Sequence, residues 1–474
     1  MDAFLLNRSQ GSIEPAAFHH AQLTQLTHCL EPVPGIKFSG HQGNAEAAGS
    51  PPATLYAHEA GASVLALDQY DKRFMVSGGA DATIHLWDLE ARSSELDHIH
   101  TPVASGNKLT SPESHQRALT SLSIYPFDPS PATILTTSYD NTLKLSVLGR
   151  PDITSVCSFN LHATPYSHSL SAHTSSLLLV AAGTSDKTVR LVDLRSGLST
   201  HSLLGHDSSV LSVSWAPHNE YLLASGSLDN RVLIFDVRRG GKDSVVAALD
   251  MDDAVGVGPF STPGNGLRGP SLRTRRAHNG SVTGVRWTDN GHYLVTAGQD
   301  SRIRVWDCST GANTLVHFGP RVRNKSSLHL AERAPLLVPT NSTSVLQDTL
   351  LWPNYNDETD RGEIFMFNFH NGSFIKTLKV PGVSHSKKKK DARPTALSAA
   401  RINALVWRGN GASGQGLEMF SAHGDGTIRT WASLSPDDSL DEEDDDPDVE
   451  SRKRKRDVLD EMYRGLMGSN VTFT

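Results

Sequence analysis

The chain has 474 residues, 38% of them hydrophobic and 20% charged, with a formal net charge of −7; this suits a globular protein with a large core and gives no general reason to adhere to nucleic acid. No apolar run approaches the roughly 18 to 20 residues of a spanning helix, and the opening residues lack the basic and apolar regions of a secretory leader, so the expected setting is cytosolic or nuclear, with no membrane partner. Cys29, Cys157 and Cys308 are odd in number and far apart, which predicts free thiols rather than a disulfide frame or a CxxC metal site, and no cofactor is expected.

In chain order, residues 1–31 come first and lie outside the repeats that follow. Between Pro15 and the Glu31-Pro32 stop the spacing predicts a short helix, with Phe18, Leu23, Leu26, Cys29 and Leu30 within an arc of about 140°. The Phe4-Leu5-Leu6 cluster precedes it. A lone helix of this length is marginal in water, so its apolar face needs a surface to pack on, either the rest of the chain or a groove on a partner. Periodicity leaves both open.

From about Leu55 to Trp431 one pattern recurs: a His, an alternating apolar strand, a Ser or Thr, an Asp in a turn, then an apolar strand closing on Trp-Asp or its equivalent. The first copy carries His58, Ser77, Asp81, Trp87 and Asp88, and the fifth His278, Thr296, Asp300, Trp306 and Asp307. The fourth keeps His206, Ser225 and Asp229 but has Phe235 in the Trp position. The second keeps His115, Thr136 and Asp140, the third Asp186 with Val192-Asp193, and the seventh Ser421, Asp425 and Trp431. Six residues separate the turn Asp from the Trp position in every one of these copies, and a fixed offset through worn sequence marks a true repeat. Asp300 and Asp425 are 125 residues apart, too far for one repeat, so a hidden sixth copy is expected around Ser327 to Gly372, ending in the strand Glu363 to Phe369.

The expected fold is therefore all-β: a seven-bladed WD40 β-propeller over residues 53–432, a short helical segment over 1–31, and a disordered tail over 433–474. A strand near Thr54 to Ala57 is expected to complete the last blade and close the ring. Four insertions, Leu96 to Pro112, Gly240 to Arg276, Thr340 to Thr359 and Pro381 to Pro394, read as loops rich in Gly, Pro, Ser and charge. Two of them carry basic runs, Arg273 with Arg275 and Arg276, and Lys387 to Lys390, which read as solvated charge before they read as a docking surface. In the tail, an acidic run from Asp437 to Glu450 gives way to Arg452, Lys453, Arg454, Lys455 and Arg456, the pattern of a nuclear import signal, and apolar residues from Val458 to Met467 then recur at helical spacing.

The His/Ser/Asp sets mimic catalytic triads. Their recurrence argues instead for a network within each blade: the turn Asp accepts from His, His contacts Ser or Thr, and the hydroxyl meets the Trp indole N–H. No phosphate loop, nucleophile elbow or HExxH occurs, and the Gly-rich stretches Gly256 to Gly269 and Gly409 to Gly416 lack the lysine and helix a phosphate cradle needs. Asp97, His98 and His100 have no Cys partner and read as solvated surface. The chain is thus expected to be a binding platform and not an enzyme.

Several segments together resemble the Cockayne syndrome group A family of WD40 proteins: the opening MDAFLLNRSQGSIEPAAF with its FLxxRxxG pattern, RFMVSGGADATIHLWDLE, ILTTSYDNTLKL, SGLSTHSLLGHDSSVLSVSWAPHNEYLLASGSLDNRV and STGANTLVHFG. The resemblance implies a substrate-recognition subunit of a cullin-RING E3 ubiquitin ligase acting in transcription-coupled nucleotide excision repair in the nucleus. It implies docking to a large damaged-DNA-binding adaptor protein, with RNA polymerase II and transcription-repair factors as substrates and no direct DNA binding. By the same resemblance the adaptor-binding residues are Phe4, Leu5, Arg8, Phe18, Leu26 and Leu30 of the N-terminal segment, with Arg195 and Arg238 of Val192-Asp193-Leu194-Arg195 and Phe235-Asp236-Val237-Arg238. Neither motif has the Trp of the family's Trp-Asp-x-Arg, and each Arg has an alternative role in pairing with an Asp of the ring. The rival reading is a nuclear scaffold in chromatin or RNA processing without a ligase role, which predicts that the N-terminal helix packs back on the ring. A propeller hydrolase would need acid and base groups converging in the central channel, and the sequence shows only networks inside blades.

Overall fold

Each repeat is cut by turn residues into runs of about six, and each run forms one strand of a small antiparallel sheet. The computed structural model describes residues 11, 23–40, 55–92, 97–108, 113–128, 132–171, 178–255, 274–324, 336–339, 347–356, 361–380, 401–409 and 417–433. After a helical turn over residues 23–28 come strands β1 (Leu30–Val33) and β2 (Ile36–Phe38). Blade one is β3 (Ala62–Leu67), β4 (Phe74–Gly79), β5 (Ile84–Asp88) and β7 (Ala104–Gly106), with β6 (His98–His100) pairing in parallel with β2. Blade two is β8 (Leu119–Ile124), β9 (Thr133–Ser138), β10 (Thr142–Leu148) and β11 (Ile153–Asn160), and blade three is β12 (Pro165–Leu170), β13 (Leu179–Thr184), β14 (Thr188–Asp193) and β15 (Leu198–Leu204). Blade four is β16 (Val210–Trp215), β17 (Leu222–Ser227), β18 (Val232–Asp236) and β19 (Val245–Ala248). Blade five is β20 (Val282–Trp287), β21 (Tyr293–Gly298) and β22 (Arg302–Asp307). Blade six is β23 (Leu336–Pro339), β24 (Gln347–Asn356), β25 (Arg361–Asn368) and β26 (Phe374–Lys379); blade seven is β27 (Ile402–Gly409), β28 (Glu418–His423) and β29 (Ile428–Ser433) with β1 on its outer edge.

The core is distributed around the ring. Seven apolar clusters of described residues each join two neighbouring blades, one cluster per seam: Trp87 and Phe420, for example, share the seam between blades one and seven, and Trp306 and Ala224 that between blades five and four. Seven seams among seven blades mean that every blade packs on both sides, and the ring is closed. The chain is a seven-bladed β-propeller, as its repeats predict.

Closure differs from expectation. The outer strand of blade seven is β1, with Leu30 opposite Ser433 and Val33 opposite Thr430, and not a strand near Thr54 to Ala57. Ala57 contributes one backbone bond, its N–H to Gly426 O at 2.9 Å, while Thr54 lies outside the described residues. The Pro at position 32 is tolerated because an edge strand can spare a donor. The ring consequently begins at Leu30, and the N-terminal segment of 1–31 overlaps it by two residues.

Blade six lies where the gap in the repeats demanded it, but the strand from Glu363 belongs to its third strand, and Phe374–Lys379 follows as the fourth. Three of the segments read as loops contain strands: β6 and β7 after Leu96, β19 after Gly240, and β24 after Thr340. These strands are short or follow turns without Gly-Asp signals, so only their pairing partners reveal them. Pro381 to Pro394 and Arg273 lie outside the described residues. His100 is not surface: it is buried and stacks on Phe38, ring centroids 4.8 Å apart.

Candidate functional site

The turn between the second and third strands has one geometry in six blades. The residue after each turn Asp has positive φ (Ala82, Asn141, Lys187, Asn230, Ser301 and Gly426), because the Asp carboxylate accepts the N–H two residues on and bends the chain back. That fixes the carboxylate beneath the incoming His. In blade five His278 Nδ1 lies 3.0 Å from Asp300 Oδ1, His278 Nε2 lies 2.8 Å from Thr296 Oγ1, and Trp306 donates its indole N–H to the same hydroxyl at 2.9 Å. Gly298 is required there, since a Cβ would collide with the His278 ring.

Blades two and four repeat the arrangement without the indole: His115 bridges Asp140 and Thr136, and His206 bridges Asp229 and Ser225, all at 2.7 to 2.9 Å. Blade one departs from the expected scheme. His58 Nε2 meets Ser77 at 2.8 Å and Trp87 donates to Ser77 at 2.9 Å, but Nδ1 is nearest to Thr83 Oγ1 at 2.6 Å, with Asp81 at 3.6 Å. Blade seven departs further: Ser421 accepts from Trp431 at 2.8 Å and contacts His423 of its own strand at 2.8 Å, while Asp425 pairs with Arg429 at 3.1 Å. Burial raises the carboxyl pKa of Asp81, Asp140 and Asp300, but bonds from the facing His and its neighbours outweigh it and hold all three far below the ordinary range. In each set the hydroxyl is buried and bonded to the His, and in blades one, five and seven it also accepts the indole N–H, which is the chemistry of a lock within the blade.

Two positions of this network escape the His/Ser/Asp/Trp pattern. Thr83, Thr142, Thr188 and Thr427, two residues after the turn Asp, donate their hydroxyls to it, and Arg190, Arg304 and Arg429, four residues after it, pair with it at 2.5 to 3.1 Å. Both offsets recur in the sequence and would have marked them.

Among the residues assigned to adaptor binding, Arg195 and Arg238 follow the third strands of blades three and four at the opposite end from the turn Asp. Arg195 is exposed, and among the described residues its bond is from the backbone N–H, to Asp193 at 2.9 Å. Arg238 holds the buried Asp236 through two bonds at 3.0 and 2.8 Å and lies 4.4 Å over the Tyr221 ring, yet 61% of its side chain is exposed. It therefore has the ring-pairing role and an open face at once. Leu30 is fully buried in the seam between blades six and seven, and Leu23 and Leu26 pack on the same cluster, so Leu30 is corrected from adaptor contact to ring core and Leu26 is partly covered by the ring. Lys376 Nζ adds bonds to His28 O and Leu30 O at 3.4 and 3.2 Å. Phe4, Leu5, Arg8 and Phe18 lie outside the described residues, as do Arg452, Lys453, Arg454, Lys455 and Arg456.

The model of the WD domain, G-beta repeat, matches residues 49–88, 106–145, 197–236 and 269–307, which are the copies of blades one, two, four and five. The chain is a WD40 repeat protein. This WD40 chain is 29% identical over 315 residues to the WD repeat-containing protein ATCSA-1 of Arabidopsis thaliana, a match that covers 55% of the chain and 69% of that protein. It is also 29% identical over 280 residues to the ribosome biogenesis protein ytm1 of Aspergillus fumigatus, and 27% over 274 residues to the ribosome biogenesis protein YTM1 of Saccharomyces cerevisiae. These last matches cover 54% and 53% of the chain and 54% of each relative, so the chain spans about half the length of the ribosome biogenesis proteins it matches. Among the described residues no helix is long and apolar enough to cross a membrane.

Proposed function

We propose that this WD40 chain is a non-catalytic substrate receptor of a nuclear cullin-RING E3 ubiquitin ligase in transcription-coupled nucleotide excision repair. The observation that carries the reading is the longer match to ATCSA-1, 69% of that protein against 54% of the ribosome biogenesis proteins, together with the group A wording of the opening residues. The ring supplies a rigid platform, Arg195 and Arg238 offer guanidinium groups for carboxylates of the adaptor, and residues before Leu23 supply the apolar anchor. Stalled polymerase and its repair factors are then held near the ubiquitin-loaded enzyme, and effective concentration is the whole mechanism.

The second reading, a nuclear scaffold without a ligase role, draws on the ribosome biogenesis relatives and on the packing of Leu23, Leu26 and Leu30 against the ring. Calorimetry with the damaged-DNA-binding adaptor separates the two. The truncation compared with the full chain must remove residues 1–22 only, because a cut at residue 31 would also strip half of β1 from blade seven. Binding by the full chain that is lost on truncation supports the receptor. Absence of binding by the full chain refutes it and leaves the scaffold.

A further inference from the structure

Among the described residues blade five is one strand short. Among the described residues the other six blades have four strands, whereas β20, β21 and β22 stand as three. The fourth place is half filled: Asp307 donates its N–H to Ala312 O and Thr314 its N–H to Val305 O, both at 3.0 Å, so residues 312–314 run antiparallel along the Trp306 end of β22. At Leu315 the chain takes a φ of 60° and turns away, with that side chain 64% exposed. The other half of the edge, Arg302 to Arg304, has no strand beside it among the described residues.

Backbone groups of alternate residues in a strand face the same way. Those of Val305 and Asp307 face outward, so the N–H and C=O of Ile303 do too. Arg302, Ile303 and Arg304 line a cavity of about 340 Å³, together with the apolar Phe318 and Val322 and the polar His317 and Asp252. With a rise of about 3.3 Å, a strand spacing of about 4.8 Å and a sheet thickness of about 10 Å, one residue of extended chain occupies roughly 160 Å³. The space thus suits about two residues of extended chain beside the three of the uncovered edge.

The charge of the rim selects the occupant. Arg304 is already committed to Asp300 at 2.8 Å, but the Arg302 side chain is exposed and makes no hydrogen bond or ion pair with described residues. His317 Nδ1 accepts the Gly319 N–H at 2.8 Å, which leaves the ring proton on Nε2 as a further donor. Asp252 also lines the cavity, so a carboxylate is favoured where it meets Arg302 and disfavoured beside Asp252. We propose that this edge binds an extended acidic peptide segment of a protein partner, which continues the half-strand at Ile303 and sets a carboxylate on Arg302. The proposal does not rest on the ligase reading.

The test uses the full chain and a peptide array in the frame Thr-x-Glu-x-Thr, with every residue at both variable positions, read by fluorescence polarisation, followed by hydrogen exchange over residues 301–307 with the best binder. The expected result is a set of binders that slow exchange at Ile303, a loss of tenfold or more in Arg302→Glu, and a shift of that variant toward the same frame with Lys in place of Glu. The circular dichroism of the variant is expected to be unchanged, which separates loss of the site from loss of the fold. An array with no binder at millimolar peptide, protection elsewhere on the ring, or equal binding by Arg302→Glu overturns the proposal.

Discussion

Leu30 lies directly opposite Ser433, so the strand that closes the ring joins the first blade-forming residues of the chain to the last. Leu30 is also fully buried against Ile364, Met366 and Trp431. Leu30→Ala removes buried methyl groups and leaves a cavity between two blades, at an expected cost of about 2 to 5 kcal/mol. Urea denaturation would show it as a lower midpoint. Removal of residues 1–22, which precede Leu23, is expected to shift the midpoint little; a large shift would mean that the segment before the helix also holds the ring.

Stability is expected to fall with acidification in two stages. His168 is buried between Ser123 Oγ at 2.7 Å and Thr137 Oγ1 at 3.3 Å, and burial lowers its pKa to about 4; burial likewise brings His100 to about 3, with help from the neighbouring charges of His98 and Arg92. The unfolded chain binds a proton at each His near pH 6.5 and the folded chain does not, so stability is full above that pH and declines toward pH 4, by about 3 kcal/mol for His168. Below about pH 4 the depressed carboxylates Asp81, Asp140 and Asp300 act in the same direction: the unfolded state takes up their protons first, and their contribution is lost in turn. Urea midpoints measured between pH 7 and 4 should fall less steeply in His168→Gln, while a residual slope persists from the other His whose pKa burial lowers, among them His100, His278 and His423. An unchanged slope would remove His168 from the account.

The blades are legible where the Asp turn survives, because a carboxylate that must accept the N–H two residues on, a His that must reach it and a hydroxyl that must accept an indole all constrain residue types at fixed offsets. Blade six shows what happens without that turn. Its third strand is marked only by a run of aromatics, where Phe365, Phe367 and Phe374 pack edge to face, so the pattern shows a strand but not its neighbours. The closing strand is illegible for a different reason: LEPV is four residues long, contains Pro32, and acquires its identity only from pairing with β29 nearly 400 residues away. Arg195 and Arg238 were found through family wording, and no local rule separates the free guanidinium of the first from the Asp-bound one of the second.

That difference is measurable. Arg195→Glu removes an exposed side chain that has no partner among the described residues, so stability should change by no more than about 0.5 kcal/mol. Arg238→Glu leaves buried Asp236 facing a like charge and should lower the urea midpoint, although Arg239, 3.7 Å from the same carboxylate, softens the loss. If both residues meet the adaptor, both variants lose affinity tenfold or more, but only Arg238→Glu also melts earlier. Equal melting with lost affinity in both would deny Arg238 its structural role, and retained affinity in both would move the contact off this face.

Glu418 closes the last seam from the other side. It is the first residue of β28, is buried, and takes Arg92 of blade one at 2.6 and 3.1 Å and Arg408 of blade seven at 2.6 Å, while Arg408 Nε donates to Lys72 O at 2.9 Å. One carboxylate therefore holds two guanidinium groups from adjacent blades where the ring meets itself. Glu418→Gln keeps the shape but removes the charge, and the nearly enclosed Arg408 then has no anion; breaking a buried pair in this way costs about 3 to 5 kcal/mol. Replacing Glu418, Arg92 and Arg408 together by Met should cost much less, because three buried charges are then absent rather than one left unmatched. Urea midpoints at constant slope for the single and triple variants decide it. If the triple variant falls as far as the single, the clamp contributes net stability to the seam; if it recovers, the hydrophobic seam and β1 close the ring on their own and the clamp fixes only the register in which blade one meets blade seven.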